Sequence, residues 1–167
     1  MTARIVNLVV NGSAKGMIAY PETTLLTGIR ESLGLMGAKR GCAQGACGSC
    51  TVLLDGEPVV SCLIPAFTVD GSAVETIEGQ ADGNELSDVQ QAFLDGFATQ
   101  CGFCTPGMIM SAEALLARNP NPTVDDVNEA ISGNVCRCTG YEPIVSAILD
   151  AAARRRQKAA DPAEVRL

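Results

Sequence analysis

Eight cysteines divide into two quartets, and each quartet demands a fold that closes it around a partner for sulfur. The first quartet is Cys42, Cys47, Cys50 and Cys62, a C-x4-C-x2-C run with a distant fourth member. The second is Cys101-x2-Cys104 followed by Cys136-x-Cys138. The chain has no histidine, so thiolate is the only soft ligand it offers a metal. The first spacing is that of plant-type [2Fe–2S] ligation. Two clusters of four thiolates would use every cysteine. Structural zinc favours pairs about two to four residues apart in both halves of a site, which the first quartet lacks. The second quartet leaves zinc open on spacing alone. A thioredoxin-like pair at Cys101 and Cys104 lacks the surrounding βαβ pattern.

Charge and length narrow the class further. A chain of 167 residues can bury one moderate core or two small ones, and the quartets favour two. The formal charge is −7, and a thiolate-bound [2Fe–2S] core adds about −2 more at each site. A nucleic-acid partner is not expected, because phosphate binding needs a clustered basic face. The basic runs are only Lys39-Arg40 and Arg154-Arg155-Arg156. The first residues lack a secretory pattern, and no segment is apolar enough to span a bilayer. Eight cysteines without an export signal point to a reducing, cytoplasmic setting and to metal ligation.

The order of local patterns gives an α+β chain. Ile5 to Val10, the turn Asn11-Gly12 and Gly16 to Tyr20 read as a β-hairpin. Thr24 can cap a helix with Leu25, Ile29 and Leu33 on one face. Thr51 to Leu54, Asp55-Gly56 and Pro58 to Ser61 read as a second hairpin, which delivers Cys62, and Ala73 to Ile77 as a last strand. That order is a β-grasp over residues 1–78, followed by a polar linker at 79–86. Residues 87–156 read as a four-helix bundle. Its helices are capped by Ser87 and run to about Ala98, capped by Thr105 with Pro106 next, capped by Thr123 with Asp126, and opened by Pro143. Residues 157–167 are expected to form a flexible tail. Met36, Met108 and Met110 read as core filler.

Between Gly41 and Cys50, glycine or alanine fills most positions between the cysteines. Glycine permits the tight wrap and close backbone approach that a cluster loop needs. Inward N–H groups can then stabilise an added electron. Both pairs of the second quartet adjoin helix starts, whose positive ends suit a net-negative group. No acid, base or nucleophile constellation reads as catalytic.

Three blocks together resemble the iron–sulfur subunit of the molybdenum hydroxylases, the xanthine dehydrogenase and carbon monoxide dehydrogenase family. They are Gly41-Cys-Ala-Gln-Gly-Ala-Cys-Gly-Ser-Cys-Thr51, Gln100-Cys-Gly-Phe-Cys-Thr-Pro-Gly-Met108 and Gly133-Asn-Val-Cys-Arg-Cys-Thr-Gly-Tyr141. The resemblance implies a plant-ferredoxin-like β-grasp, a four-helix bundle, and all eight cysteines as ligands of two [2Fe–2S] clusters. It implies that Gln100 and Cys138 contact a molybdopterin, expected as its cytosine dinucleotide, on a large partner subunit. It also implies a medium FAD-binding subunit, electron flow from molybdenum through the bundle cluster and the β-grasp cluster to FAD, and a dimer of heterotrimers. A freestanding two-cluster ferredoxin is the alternative. Leu86-Ser87-Asp88-Val89-Gln90 departs from the histidine and proline that relatives often carry there, which touches a helix start and no ligand.

Overall fold

The structure, a computed structural model, describes residues 2–160. Strand β1 (Arg4–Val10) buries Val6, Leu8 and Val10 and exposes the alternate positions, the period-two pattern of a half-covered strand. It turns through Asn11 and Gly12, both with positive φ (49° and 76°), into β2 (Ser13–Ala19). This is the primed turn whose twist suits a tight hairpin. Asp55 and Gly56 repeat the device (51° and 85°) between β3 (Thr51–Leu54) and β4 (Glu57–Val60). Strand β5 (Ala73–Glu75) then inserts beside β1. The sheet order is β2-β1-β5-β3-β4, with β1 and β5 parallel and the other pairs antiparallel. The chain is α+β, and its first half is the plant-ferredoxin-like sheet expected from the sequence.

The helix expected after Thr24 is shorter and wider than its four-residue periodicity implies. Thr24 does cap α1, accepting from the Thr27 N–H, but α1 covers only Leu25–Thr27. It continues as a single π turn, Gly28–Ser32, in which the Leu33 N–H reaches back to the Gly28 carbonyl at 3.1 Å. Arg30 then ties this turn to the following loop through the Met36 and Ala38 carbonyls, at 2.9 and 2.6 Å. Leu25, Leu26 and Ile29 fill the core under the sheet with Val52 and Val74.

The second half holds α2 (Asp88–Asp95), α3 (Thr105–Arg118), α4 (Val124–Ile131) and α5 (Glu142–Ala160). Phe93, Met108, Ile109, Ile131, Ile144 and Ile148 are among the buried residues of their shared core. Ser87 with Gln90 and Thr123 with Asp126 form reciprocal capping boxes, so both of those expected starts hold. Thr105 does not cap α3. Cys104 occupies that position, and the Thr105 hydroxyl instead bonds Thr99 at 3.1 Å. Helix α2 ends at Asp95, short of Ala98, because Gly96 caps it and Phe97 takes φ 50°, outside helical space.

Helix α5 continues through Gln157 to Ala160, so the first four residues of the expected tail are helical. The rest of that tail, 161–167, lies outside the described residues. The arginine run at its end is held from several sides. Arg154 pairs with Asp95 at 2.7 Å and Asp150 at 2.6 Å, while Arg155 meets Glu113 and Lys158 meets Asp88. Such surface pairs contribute about 0–1 kcal/mol each, less than the apolar packing beneath them. Met108 and Met110 are buried as expected, but Met36 is half exposed and fills no core. Met110 lies in a third small cluster with Leu53 and Ala114, which joins β3 to α3 and seats the helical half on the sheet.

Candidate metal centres

The loop from Gly41 to Cys50 has almost no regular structure, and the thiols along it fall into pairs. Cys42 neighbours Cys47, and Cys50 neighbours Cys62. Cys62 enters on a 3-10 turn (Ser61–Leu63) directly after β4. The buried Ser61 hydroxyl locks that approach by donating to the Cys50 carbonyl at 2.7 Å. Backbone donors already face the first pair: the Gln44 N–H lies 3.5 Å from the Cys42 sulfur. That N–H, with the Cys47 thiol and further loop N–H groups, lowers the Cys42 thiol to about 7. Burial pushes the Cys50 thiol up to about 11.

The second quartet has the same paired arrangement, built from helix ends. Cys104 caps α3, Cys101 lies in the loop before it, and Cys136 and Cys138 lie between α4 and α5. Cys104 neighbours Cys136, and Cys101 neighbours Cys138. The four thiols line a recess of about 130 Å³ with Phe103, Val135 and Arg137. Burial drives the Cys104 thiol up to about 12. Burial also works against ionisation of Cys136, but the Thr139 hydroxyl at 3.2 Å and nearby N–H groups outweigh it and bring that thiol to about 7. Its hydrogen bond with Cys101 raises the Cys138 thiol. The Tyr141 hydroxyl accepts from the Cys136 N–H at 2.9 Å and so fixes the Cys136 backbone.

A single tetrahedral zinc would need four donors around one centre. Two facing thiol pairs instead match a binuclear core in which each iron takes two cysteines. The donor set fits the group in other respects too, being all sulfur, with apolar walls at the second recess and backbone N–H groups at the first.

The two loops lie against each other. The Val135 N–H donates to the Cys47 carbonyl at 2.9 Å, and the Asn134 amide donates to the Gly48 carbonyl at 3.0 Å. Gly48 has φ 67°, and a Cβ there would stand 2.3 Å from the Gly133 carbonyl. Only glycine lets the loops approach this closely. Asn134, 4% exposed, also accepts from the Ser111 hydroxyl at 2.8 Å. Sequence reasoning quoted Asn134 in a motif but gave it no role, since its partner lies 86 residues away. Gln100 and Cys138 are both exposed; Gln100 precedes Cys101 in the chain, and Cys138 neighbours it in space. No hydrogen bond occupies the Gln100 amide among the described residues.

Comparison with known proteins agrees with this geometry. Residues 8–96 match the family described as 2Fe-2S iron-sulfur cluster binding domain, and residues 76–149 match the [2Fe-2S] binding domain family. The chain is 47% identical over 143 residues to the nicotinate dehydrogenase small FeS subunit of Eubacterium barkeri, covering 86% of this chain and 91% of that one. It is 48% identical over 146 residues to the nicotine 6-hydroxylase small subunit of Paenarthrobacter nicotinovorans, covering 87% and 88%. Among solved structures, a chain of quinoline 2-oxidoreductase from Pseudomonas putida 86 superposes with a TM-score of 0.90 at 43% identity, covering 94% of this chain and 98% of that one. With both halves matched and its relatives spanned nearly end to end, the chain belongs to the iron–sulfur small subunits of the molybdenum-containing hydroxylases.

Proposed function

We propose that this chain is the wire of a heteromeric molybdenum enzyme, carrying single electrons from a molybdopterin on a large subunit to FAD on a medium one. The observation that carries the reading is the arrangement of eight thiols as two sets of neighbouring pairs, with the Cys42–Cys50 loop hydrogen-bonded directly to the loop that carries Cys136 and Cys138. Cys42, Cys47, Cys50 and Cys62 would hold one [2Fe–2S] cluster in a β-grasp domain (1–78). Cys101, Cys104, Cys136 and Cys138 would hold the other in a four-helix-bundle domain (87–156), beyond a linker at 79–86. When bound, each cluster supplies one-electron chemistry, so a two-electron substrate oxidation can be passed on in single steps.

The chain's own residues do the positioning. The paired thiols fix each cluster site, and Ser61, Thr139 and Tyr141 hold the loops that carry them. Exposure supports the pterin contact. Cys101, Cys138 and Gln100 lie at the surface, suited to meeting a pterin across an interface, whereas Cys50 and Cys62 are buried. Gln100 offers an amide that can donate and accept at once, which matches the edge of a pterin. Partner subunits, a dimer of heterotrimers and a cytoplasmic setting follow from the same reading. No helix among the described residues is long and apolar enough to cross a membrane.

Purification of the tagged chain from its native source tests the assembly. Stable co-elution with a molybdenum-containing subunit and a flavin-containing subunit is expected, since permanent partners bury extensive interfaces. Recovery of the chain alone, fully loaded and active toward several acceptors, would favour the freestanding ferredoxin.

A further inference from the structure

Two successive peptide units of the first thiol loop are gripped from the second. The Cys47 carbonyl accepts from the Val135 N–H, and the Gly48 carbonyl accepts from the Asn134 amide. No peptide bond is cis among the described residues, so in each unit the N–H points opposite to the carbonyl. Both carbonyls face the helical half. The N–H groups of Gly48 and Ser49 therefore face away from Val135 and Asn134. Both residues are buried, and neither N–H has a protein acceptor among the described residues. Buried donors near thiolate sulfur stabilise added negative charge.

Asn134 is built for this grip. Its Oδ1 accepts from Ser111, which turns the Nδ2 toward Gly48, and the same Nδ2 lies 3.3 Å from the Thr51 hydroxyl. The separate acceptor and donor atoms of the amide satisfy both sides of the seam at once, which an ionised carboxylate, an acceptor only, does not. Thr51 also holds the Gly48 carbonyl, through its N–H at 3.0 Å and its hydroxyl at 2.7 Å. Loss of the amide should thus loosen the peptide without releasing it.

We propose that Asn134, a residue of the second cluster loop, is a positioning residue for the first cluster, setting its reduction potential by fixing the Gly48–Ser49 peptide. This rests on the two-cluster reading above. The test is a redox titration of the full chain as purified, followed by electron paramagnetic resonance. The first cluster's signal is identified as the one that Cys47→Ser removes. Asn134→Ala and the near-isosteric Asn134→Leu both lose the donor, but only the alanine leaves a cavity. Ser111→Ala removes the amide's other bond. Both Asn134 variants should lower the midpoint potential of the first cluster, move the second cluster less, and retain iron, while Ser111→Ala, which keeps the donor and loses only its orienting bond, should shift the first potential in the same direction by less. Unchanged potentials, a shift in Asn134→Ala alone, an equal shift in Ser111→Ala, or loss of the cluster from both Asn134 variants would each overturn the proposal. Wild-type protein without two [2Fe–2S] signals would instead refute the reading beneath it.

Discussion

Gly48→Ala probes the contact between the two thiol loops. Alanine at φ 67° costs about 1–2 kcal/mol, because an L side chain is strained in the left-handed region. The new Cβ would also stand 2.3 Å from the Gly133 carbonyl and 2.8 Å from the Asn134 Cα. Both are backbone atoms that cannot swing aside, so the loops must part. Parting weakens the Val135–Cys47 and Asn134–Gly48 hydrogen bonds, each contributing about 1 kcal/mol. The sum is about 3–4 kcal/mol, a fall in Tm of about 6–16 °C for a chain of this size. Gly12→Ala is the internal control. It sits at φ 76° with nothing within 4 Å, so only the strain should be felt, about 1–2 kcal/mol. Scanning calorimetry of the cluster-loaded chain, with the visible absorbance followed in parallel, reads both. Equal falls for the two variants would refute the idea that the loop contact contributes.

Other perturbations address single sites. Cys47→Ser should remove one of two paramagnetic signals and about half the iron, because a serine oxygen is a harder and poorer ligand for iron; loss of both signals would show that the sites are not separable. Gln100→Ala should leave both clusters assembled while weakening pterin retention, or electron transfer from molybdenum, by the equivalent of about 1–3 kcal/mol; normal molybdenum content and turnover would make Gln100 a loop residue only. Iron retention should fall with pH. Thiolates bind iron and protons compete for them, and burial leaves the Cys50 and Cys104 thiols protonated up to about 11 and about 12 without metal. Chelator challenge should therefore strip iron faster at about pH 5 than at about pH 8, and a rate independent of pH would contradict thiolate ligation.

Features set by near neighbours were legible in the sequence. Asn11-Gly12 and Asp55-Gly56 announced both hairpins because positive φ at two adjacent positions requires such residues. Ser87, and Thr123 with Asp126, marked helix starts because a cap closes within four residues, with Gln90 completing a box at Ser87 in the structure. Tertiary packing explains the misreadings. Apolar spacing of four at Leu25, Ile29 and Leu33 cannot distinguish an α turn from the π turn that forms, where a Cβ on Gly28 would stand 2.3 Å from the Met17 sulfur. Phe97 gives no sign in sequence that it adopts a left-handed conformation and leaves its ring 85% exposed. The two cysteine quartets were visible from spacing and resemblance, but the thiol pairing was not. Nor was the seam of Gly48, Ser111 and Asn134, whose partners lie far apart in the chain.

The claim that this chain carries two binuclear clusters is tested most directly by metal analysis of the purified full chain, joined to low-temperature electron paramagnetic resonance after reduction. The account predicts about four iron atoms per chain, no stoichiometric zinc, and two distinct signals, each integrating to about one spin. About two iron atoms with stoichiometric zinc, or a single signal of about one spin, would contradict it.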